Sequence, residues 1–185
     1  RARDVIASPR RPIGGMLPEA RKKRLILFDI DGTLILAGGA GEHALKRTLS
    51  ERFGIRDDLR DIEIAGMTDS GIVASILQKH QLPTAPENIA AFLDSYVQFL
   101  ALELPQRKCA LLHGGLPLLE TLQTRPPLVL LLFACHFSRA SQLKLEHHGI
   151  WNIFGFGAVP DAPSYRHSHR PFLRFPHRDT QVRHI

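Results

Sequence analysis

The sequence has no run of about 18 uncharged apolar residues, the length a membrane-spanning helix requires, so it offers no candidate span. It has only two cysteines, Cys109 and Cys135, set in apolar surroundings and without a CxxC spacing, which removes a disulfide framework and a thiolate metal site from consideration. Two reduced, buried thiols are expected, as in a cytoplasmic protein. There is no internal repeat. The Arg-rich first residues lack the apolar segment of a secretory signal; being acid-poor, they leave a transit peptide as an alternative to an upstream extension over 1–15, before Met16.

The excess of positive charge is confined to the two ends. The chain of 185 residues carries a formal net charge of +6, yet residues 1–24 hold eight Arg or Lys against two acids and residues 160–185 hold five Arg against two acids. The stretch between them is left with 11 basic and 14 acidic residues, a net of −3. A basic face built into the fold is therefore not expected, which argues against a nucleic-acid partner.

Hydrophobic residues make up 44% of the chain, enough for a core. Leu25 to Ile30 reads as a buried parallel strand that breaks at Asp29, Asp31, Gly32 and Thr33. Helices are expected over Ala40 to Phe53, with Gly54 at the end, from Asp69 as N-cap through Leu77, and from Pro86 to the stop at Pro105. The stripe Ile89, Phe92, Leu93, Tyr96, Val97 and Leu100 reads as core. Then come a helix from Gly114 to Leu122, a strand from Leu128 to Phe133 and a helix from Ser138 to His148, an alternation that predicts a parallel α/β sheet. From Pro160 onward the chain is dense in His, Arg and Pro, with no clear period.

The chemistry is concentrated in FDIDGT. Two carboxylates one residue apart, just past a buried strand, converge at the carboxyl edge of a sheet, where open α/β folds bind ligands. Such a pair offers hard oxygens to magnesium. One carboxylate is placed to attack phosphorus and the other to exchange protons with the leaving oxygen and with water. A calcium loop of the EF-hand kind is excluded by the apolar Leu34, Ile35 and Leu36 that follow.

LILFDIDGTLILAGGAG resembles the first motif of the haloacid dehalogenase superfamily, in particular phosphoglycolate-phosphatase-like hydrolases. ALKRTLSERFGI and IAGMTDSGIVASIL resemble the helical cap of that group, and QLKLEHHGIWNIFGFGA its later core helix and strand. The resemblance implies a Rossmann-like α/β core (25–37 and 108–159) with an inserted helical cap (38–107) and an incomplete C-terminal part of the core; the charge and pattern of the two ends read as a basic N-terminal extension without structure (1–24) and a basic tail, degenerate or irregular (160–185). It implies a magnesium-dependent phosphatase of small phosphorylated metabolites working through an aspartyl-phosphate. Asp29 would be nucleophile and metal ligand, and Asp31 general acid/base and metal ligand through its backbone carbonyl. Gly32 and Thr33 would support the phosphoryl group. Gly39, Gly41, Thr68 and Asp69 match cap-side positions, with turns and a helix cap as their alternative roles.

Later motifs depart from the pattern. Where the family carries a hydroxyl residue there is Ala134, followed by Cys135 and His136, which leaves His136 as the candidate phosphoryl donor. The basic residue of the third motif is expected after Gly157, with Arg166 or Arg170 as candidates. Asp179, or more weakly Asp161, is the candidate for the last metal-binding acid. The abrupt change of character reads as a shifted frame or a decayed gene, which sequencing of the underlying DNA tests. The alternative to a working phosphatase is therefore an inactive relative that keeps a weak phosphate or metal pocket.

Overall fold

The computed structural model describes residues 24–64, 66–125, 128–133, 138–154, 156–158 and 181–184. Its main sheet has four strands in the order β5-β4-β1-β6, every neighbouring pair parallel: β1 (Arg24–Phe28), β4 (Leu128–Phe133), β5 (Phe156–Ala158) and β6 (Gln181–His184). The inner pair is in register from Arg24 opposite Leu128 to Phe28 opposite Leu132. Because side chains alternate between faces, this register sorts the apolar residues into two sets. Leu25 and Leu27 meet Leu131 in one cluster, while Phe28 joins Leu130 and Leu132 in another. The second set is covered by Leu119 of α4 (Gly115–Gln123) and Leu145 of α5 (Ser138–His147). Phe154 closes it, its ring edge-on to Phe28 at 5.9 Å between centroids.

Three helices follow the first strand: α1 (Ala40–Phe53), α2 (Asp69–Lys79) and α3 (Pro86–Glu103). Their buried positions, including Leu49, Ile76, Phe92 and Leu100, make one apolar cluster. Each boundary has a local cause. Gly54 ends α1 in the left-handed conformation, its N–H bonded to Ser50 O. Thr68, not Asp69, caps α2: its hydroxyl oxygen accepts from the Gly71 N–H at 3.1 Å, and Asp69 is the first helical residue. The signal was present in the sequence, since threonine is also a preferred N-cap. Pro86 opens α3, and the chain tightens to a 3-10 turn at Leu104–Gln106.

The chain leaves the sheet for these helices through β2 (Ile35–Leu36) and returns through β3 (Ala110–Leu111). The two pair antiparallel, Ile35 opposite Leu111 and Leu36 opposite Ala110. The departure and return points are thus fastened together, and Cys109 Sγ adds a hydrogen bond to Ala37 O at 3.2 Å. On the far side, α5 touches both apolar clusters, with Ala140 in that of the helices and Leu145 in that of the sheet.

One expectation is corrected. The tail over 160–185 was expected to be degenerate or irregular, with no strand or helix assigned, but Gln181–His184 forms a strand beside β1, from Gln181 opposite Arg24 to His184 opposite Leu27. A weak local pattern suffices there, because without β6 the flank of β1 away from β4 would be a sheet edge, a row of unpaired backbone donors and acceptors that an extended segment satisfies.

Candidate active site

Asp29 follows the last residue of β1, and the chain then folds back on itself within six residues. Ile30, fully buried, anchors the loop: its carbonyl accepts from the amides of Thr33, Leu34 and Ile35 at 3.3, 2.9 and 3.1 Å. Gly32 donates to Ile35 O at 2.9 Å and has a φ of +78°, a conformation that a side chain disfavours. The buried Ile30 thus holds Asp29 and Asp31 on either side of it at the carboxyl edge of the sheet. Asp29 is half-buried, whereas Gly32 and Thr33 are exposed. The Thr33 amide is engaged with Ile30 O.

Sequence reasoning missed the residue that most shapes this site. Lys144, on α5, reaches the loop and donates from Nζ to Asp31 Oδ2 at 2.5 Å. Its side chain is 3% exposed, against 35% for that of Asp31, so a buried ammonium meets a carboxylate at the edge of solvent. The third-motif cation was sought after Gly157, yet Arg166 and Arg170 lie outside the described residues. The available signal was a lysine on a core-facing position of an amphipathic helix: Ala140 and Ser141, one turn earlier, and the adjacent Leu145 are all fully buried. A buried lysine demands a partner, and Asp31 supplies it.

Other groups feel the same centre. Burial, then the carboxylates of Asp69 and Asp31, push the Tyr96 phenol well above its ordinary range. The Cys109 thiol is raised by burial and by Asp31, with Lys144 opposing. Tyr96 therefore belongs to the helical core, as expected, and also lies within electrostatic reach of Asp31. Gly41 lies against it, since a Cβ there would stand 3.4 Å from Tyr96 Oη. Gly39 is the left-handed N-cap of α1 and Thr68 the N-cap of α2, so both have the structural roles given as alternatives. Asp69 is buried.

The candidates His136 and Asp179 lie outside the described residues, as do Ala134 and Asp161. Among the described residues no group of three or more His, Cys, Asp or Glu side chains is placed to hold a metal ion. Among the described residues of the loop, Asp29 and Asp31 are donors of the right kind, hard oxygens suited to magnesium.

No family model matches the sequence, and no curated protein does. Solved structures do match. CbbY from Rhodobacter sphaeroides, in complex with phosphate, superposes with a TM-score of 0.60 at 20% identity, over 77% of this chain and 65% of that one. A predicted phosphatase from Clostridium acetobutylicum gives 0.53 at 19%, over 75% and 61%. The fold is that of the haloacid-dehalogenase-type phosphatases. A predicted phosphoglycolate phosphatase from Haemophilus somnus shares this fold, with a TM-score of 0.53 at 17% identity over 80% of this chain and 66% of its own. The chain thus spans just under two thirds of the length of the haloacid-dehalogenase-fold proteins it matches. No helix among the described residues is long and apolar enough to cross a membrane.

Proposed function

We propose that the chain is a phosphomonoester hydrolase acting on small phosphorylated metabolites, with Asp29 as nucleophile and Asp31 as general acid/base, and with residues 38–107 as a cap over a core of 25–37 and 108–159. The observation that carries this reading is the placement of the two carboxylates around the buried Ile30 at the carboxyl edge of an inner strand, with the Lys144 ammonium beside Asp31. That CbbY, a protein of like fold, binds phosphate and xylulose-1,5-bisphosphate supports the substrate class.

In this reading an Asp29 oxygen attacks phosphorus and the phosphorus–oxygen ester bond breaks. The leaving oxygen takes a proton from Asp31. Water, passing a proton to Asp31, then attacks the phosphorus of the aspartyl-phosphate, which releases inorganic phosphate and restores the Asp29 carboxylate and the protonated Asp31. Thr33, an exposed residue of the loop, would offer its hydroxyl to the phosphoryl group, and the Lys144 ammonium has two N–H groups beyond the one given to Asp31. Magnesium, when held by a carboxylate oxygen of Asp29 and the carbonyl of Asp31, would offset the negative charge that gathers on the transferring group.

The test is hydrolysis of a generic aryl phosphate and of phosphoglycolate, with and without magnesium, by the chain and by Asp29→Asn. Turnover that needs both magnesium and Asp29 is expected. Soluble, folded protein with no turnover above the variant's background would favour the second reading, an inactive relative. That reading draws on Ala134, which has no hydroxyl to offer a phosphoryl oxygen; loss of one such donor costs about 10²–10³ in rate.

A further inference from the structure

The two ends of the Tyr96 side chain have different surroundings. Its ring belongs to the apolar cluster of the helices, with Phe92, Val97 and Leu100 of the same stripe, and the residue is 2% exposed. Its hydroxyl lies against the first turn of α1, where a Cβ added at Gly41 would stand 3.4 Å from Oη. That turn follows directly on the aspartate loop and β2, so this is the end of the helical layer that meets the core. The carboxylates of Asp69 and Asp31 both act on the phenol there. Among the described residues Oη has no hydrogen-bond partner. A buried tyrosine ordinarily bonds its hydroxyl, and an unmet one costs free energy that a phenylalanine would avoid. Thr48, buried on α1, has the usual arrangement, its hydroxyl donating to Ala44 O at 2.8 Å. Packing therefore accounts for the Tyr96 ring and not for its hydroxyl. Burial does not remove that hydroxyl from use. The helices lie closed on α5, with Ala140 in their apolar cluster and Arg139 bonded to Asp94 of α3 at 2.8 Å, so a group on their inner face is shut away from water.

We propose that Tyr96 is a specificity-determining residue of the aspartate site: its hydroxyl donates a hydrogen bond to an oxygen on the leaving group of the phosphomonoester, a carboxylate or hydroxyl close to the ester linkage, and Gly41 leaves room beside it for that oxygen. The proposal rests on the reading that Asp29 and Asp31 act on phosphomonoesters. It narrows the substrate class to esters of hydroxy acids and polyols. The phenol, held well above its ordinary range by burial and by the two carboxylates, stays protonated at neutral pH and so remains a donor. A leaving group with no oxygen acceptor at that place, such as phenol itself, gains nothing from it.

Tyr96→Phe keeps the ring and removes only the hydroxyl. The full chain and this variant are compared, with magnesium present, on phosphoglycolate, glycerol 3-phosphate and phenyl phosphate. The variant is expected to lower kcat/KM about 10- to 100-fold for phosphoglycolate, whose carboxylate accepts a charge-assisted bond, and about 3- to 10-fold for glycerol 3-phosphate. Phenyl phosphate is expected to change less than about 2-fold, since no hydrogen bond is lost with it. The melting temperature is expected to hold or rise, because the hydroxyl leaves no partner unmet. A role confined to packing would lower the melting temperature and reduce all three rates together. Equal loss on all three substrates, or loss on none, overturns the proposal and leaves the phosphatase reading standing. So does an unaltered chain that hydrolyses phenyl phosphate and neither of the other two. Absence of turnover by the unaltered chain on all three overturns both.

Discussion

Gly38 marks the point where the chain departs from β2 toward the helices, and its replacement by alanine tests whether the paired crossing is as tight as described. Its φ is +56°, and a Cβ built there would stand 2.9 Å from Lys108 O, 3.0 Å from Lys108 C and 3.1 Å from Lys108 N. All three are backbone atoms, so no side chain can rotate out of the way. The two strands cannot part freely either, because β2 pairs with β3 and the next residues along, Cys109 through Sγ and Ala37 through its carbonyl, are hydrogen-bonded beside the Gly38–Lys108 approach. A left-handed φ costs an alanine about 1–2 kcal/mol, the stiffer unfolded chain returns about 0.4–1 kcal/mol, and forced displacement of packed backbone adds about 1–3 kcal/mol. The net is about 1–5 kcal/mol. Gly54 provides the control: its φ is +67° and nothing lies within 4 Å of the added Cβ, so only the first two contributions apply and the net is about 1 kcal/mol or less. At about 2–4 °C per kcal/mol for a chain of this size, the added displacement contribution of about 1–3 kcal/mol is expected to make Gly38→Ala melt roughly 2–12 °C below Gly54→Ala. Scanning calorimetry or thermal circular dichroism compares the two. Equal melting temperatures would refute the claim that the crossing is sterically closed.

Three further outcomes are expected. Thr68→Ala removes the side-chain cap of α2 and lowers stability by about 1 kcal/mol, read from the urea midpoint, whereas Thr68→Ser leaves it nearly unchanged. Asp57 is held at about 2, below the ordinary 3.8, first by its hydrogen bond with Lys79 and then by the Leu59 amide, with His80 adding to it. A depressed folded-state value stabilises above the unfolded one and is lost on acidification, so the contribution is complete above about pH 4 and disappears toward pH 2. Asp57→Asn is therefore expected to flatten the acid limb of a stability–pH profile over that window; an unchanged limb would show that Asp57 does not contribute. Asp29→Asn is expected to lower hydrolysis of aryl phosphates by about 10³-fold or more while leaving the melting temperature within a few degrees, since the side chain makes no part of the apolar clusters.

Most of the secondary structure was legible because its signals are local. The strand from Leu128 to Phe133 stands as read, a run of apolar residues that only a sheet buried on both faces accommodates. Pro86 and Pro105 bracket α3, and Gly54 ends α1, each through backbone geometry carried by a single residue. The two aspartates were legible for the same reason, since a short apolar strand followed by a glycine turn leaves them one place to go. The strand at Gln181–His184 was not legible: four residues in a His- and Arg-rich stretch have no periodicity to read, and their conformation is decided by the open flank of β1.

The sequence by itself determined the aspartate loop, the helices that follow it and the alternation that makes a parallel sheet. Only the tertiary structure decided what faces the loop. Lys144 and Asp31 are 113 residues apart, and their ion pair exists because α5 docks with Ala140 against the helices and Leu145 against the sheet, turning the intervening lysine inward. Helical periodicity states that such a lysine lies on the apolar face; it does not state which carboxylate waits there. That is settled by packing, because a buried ammonium is tolerated only where the fold brings it an anion.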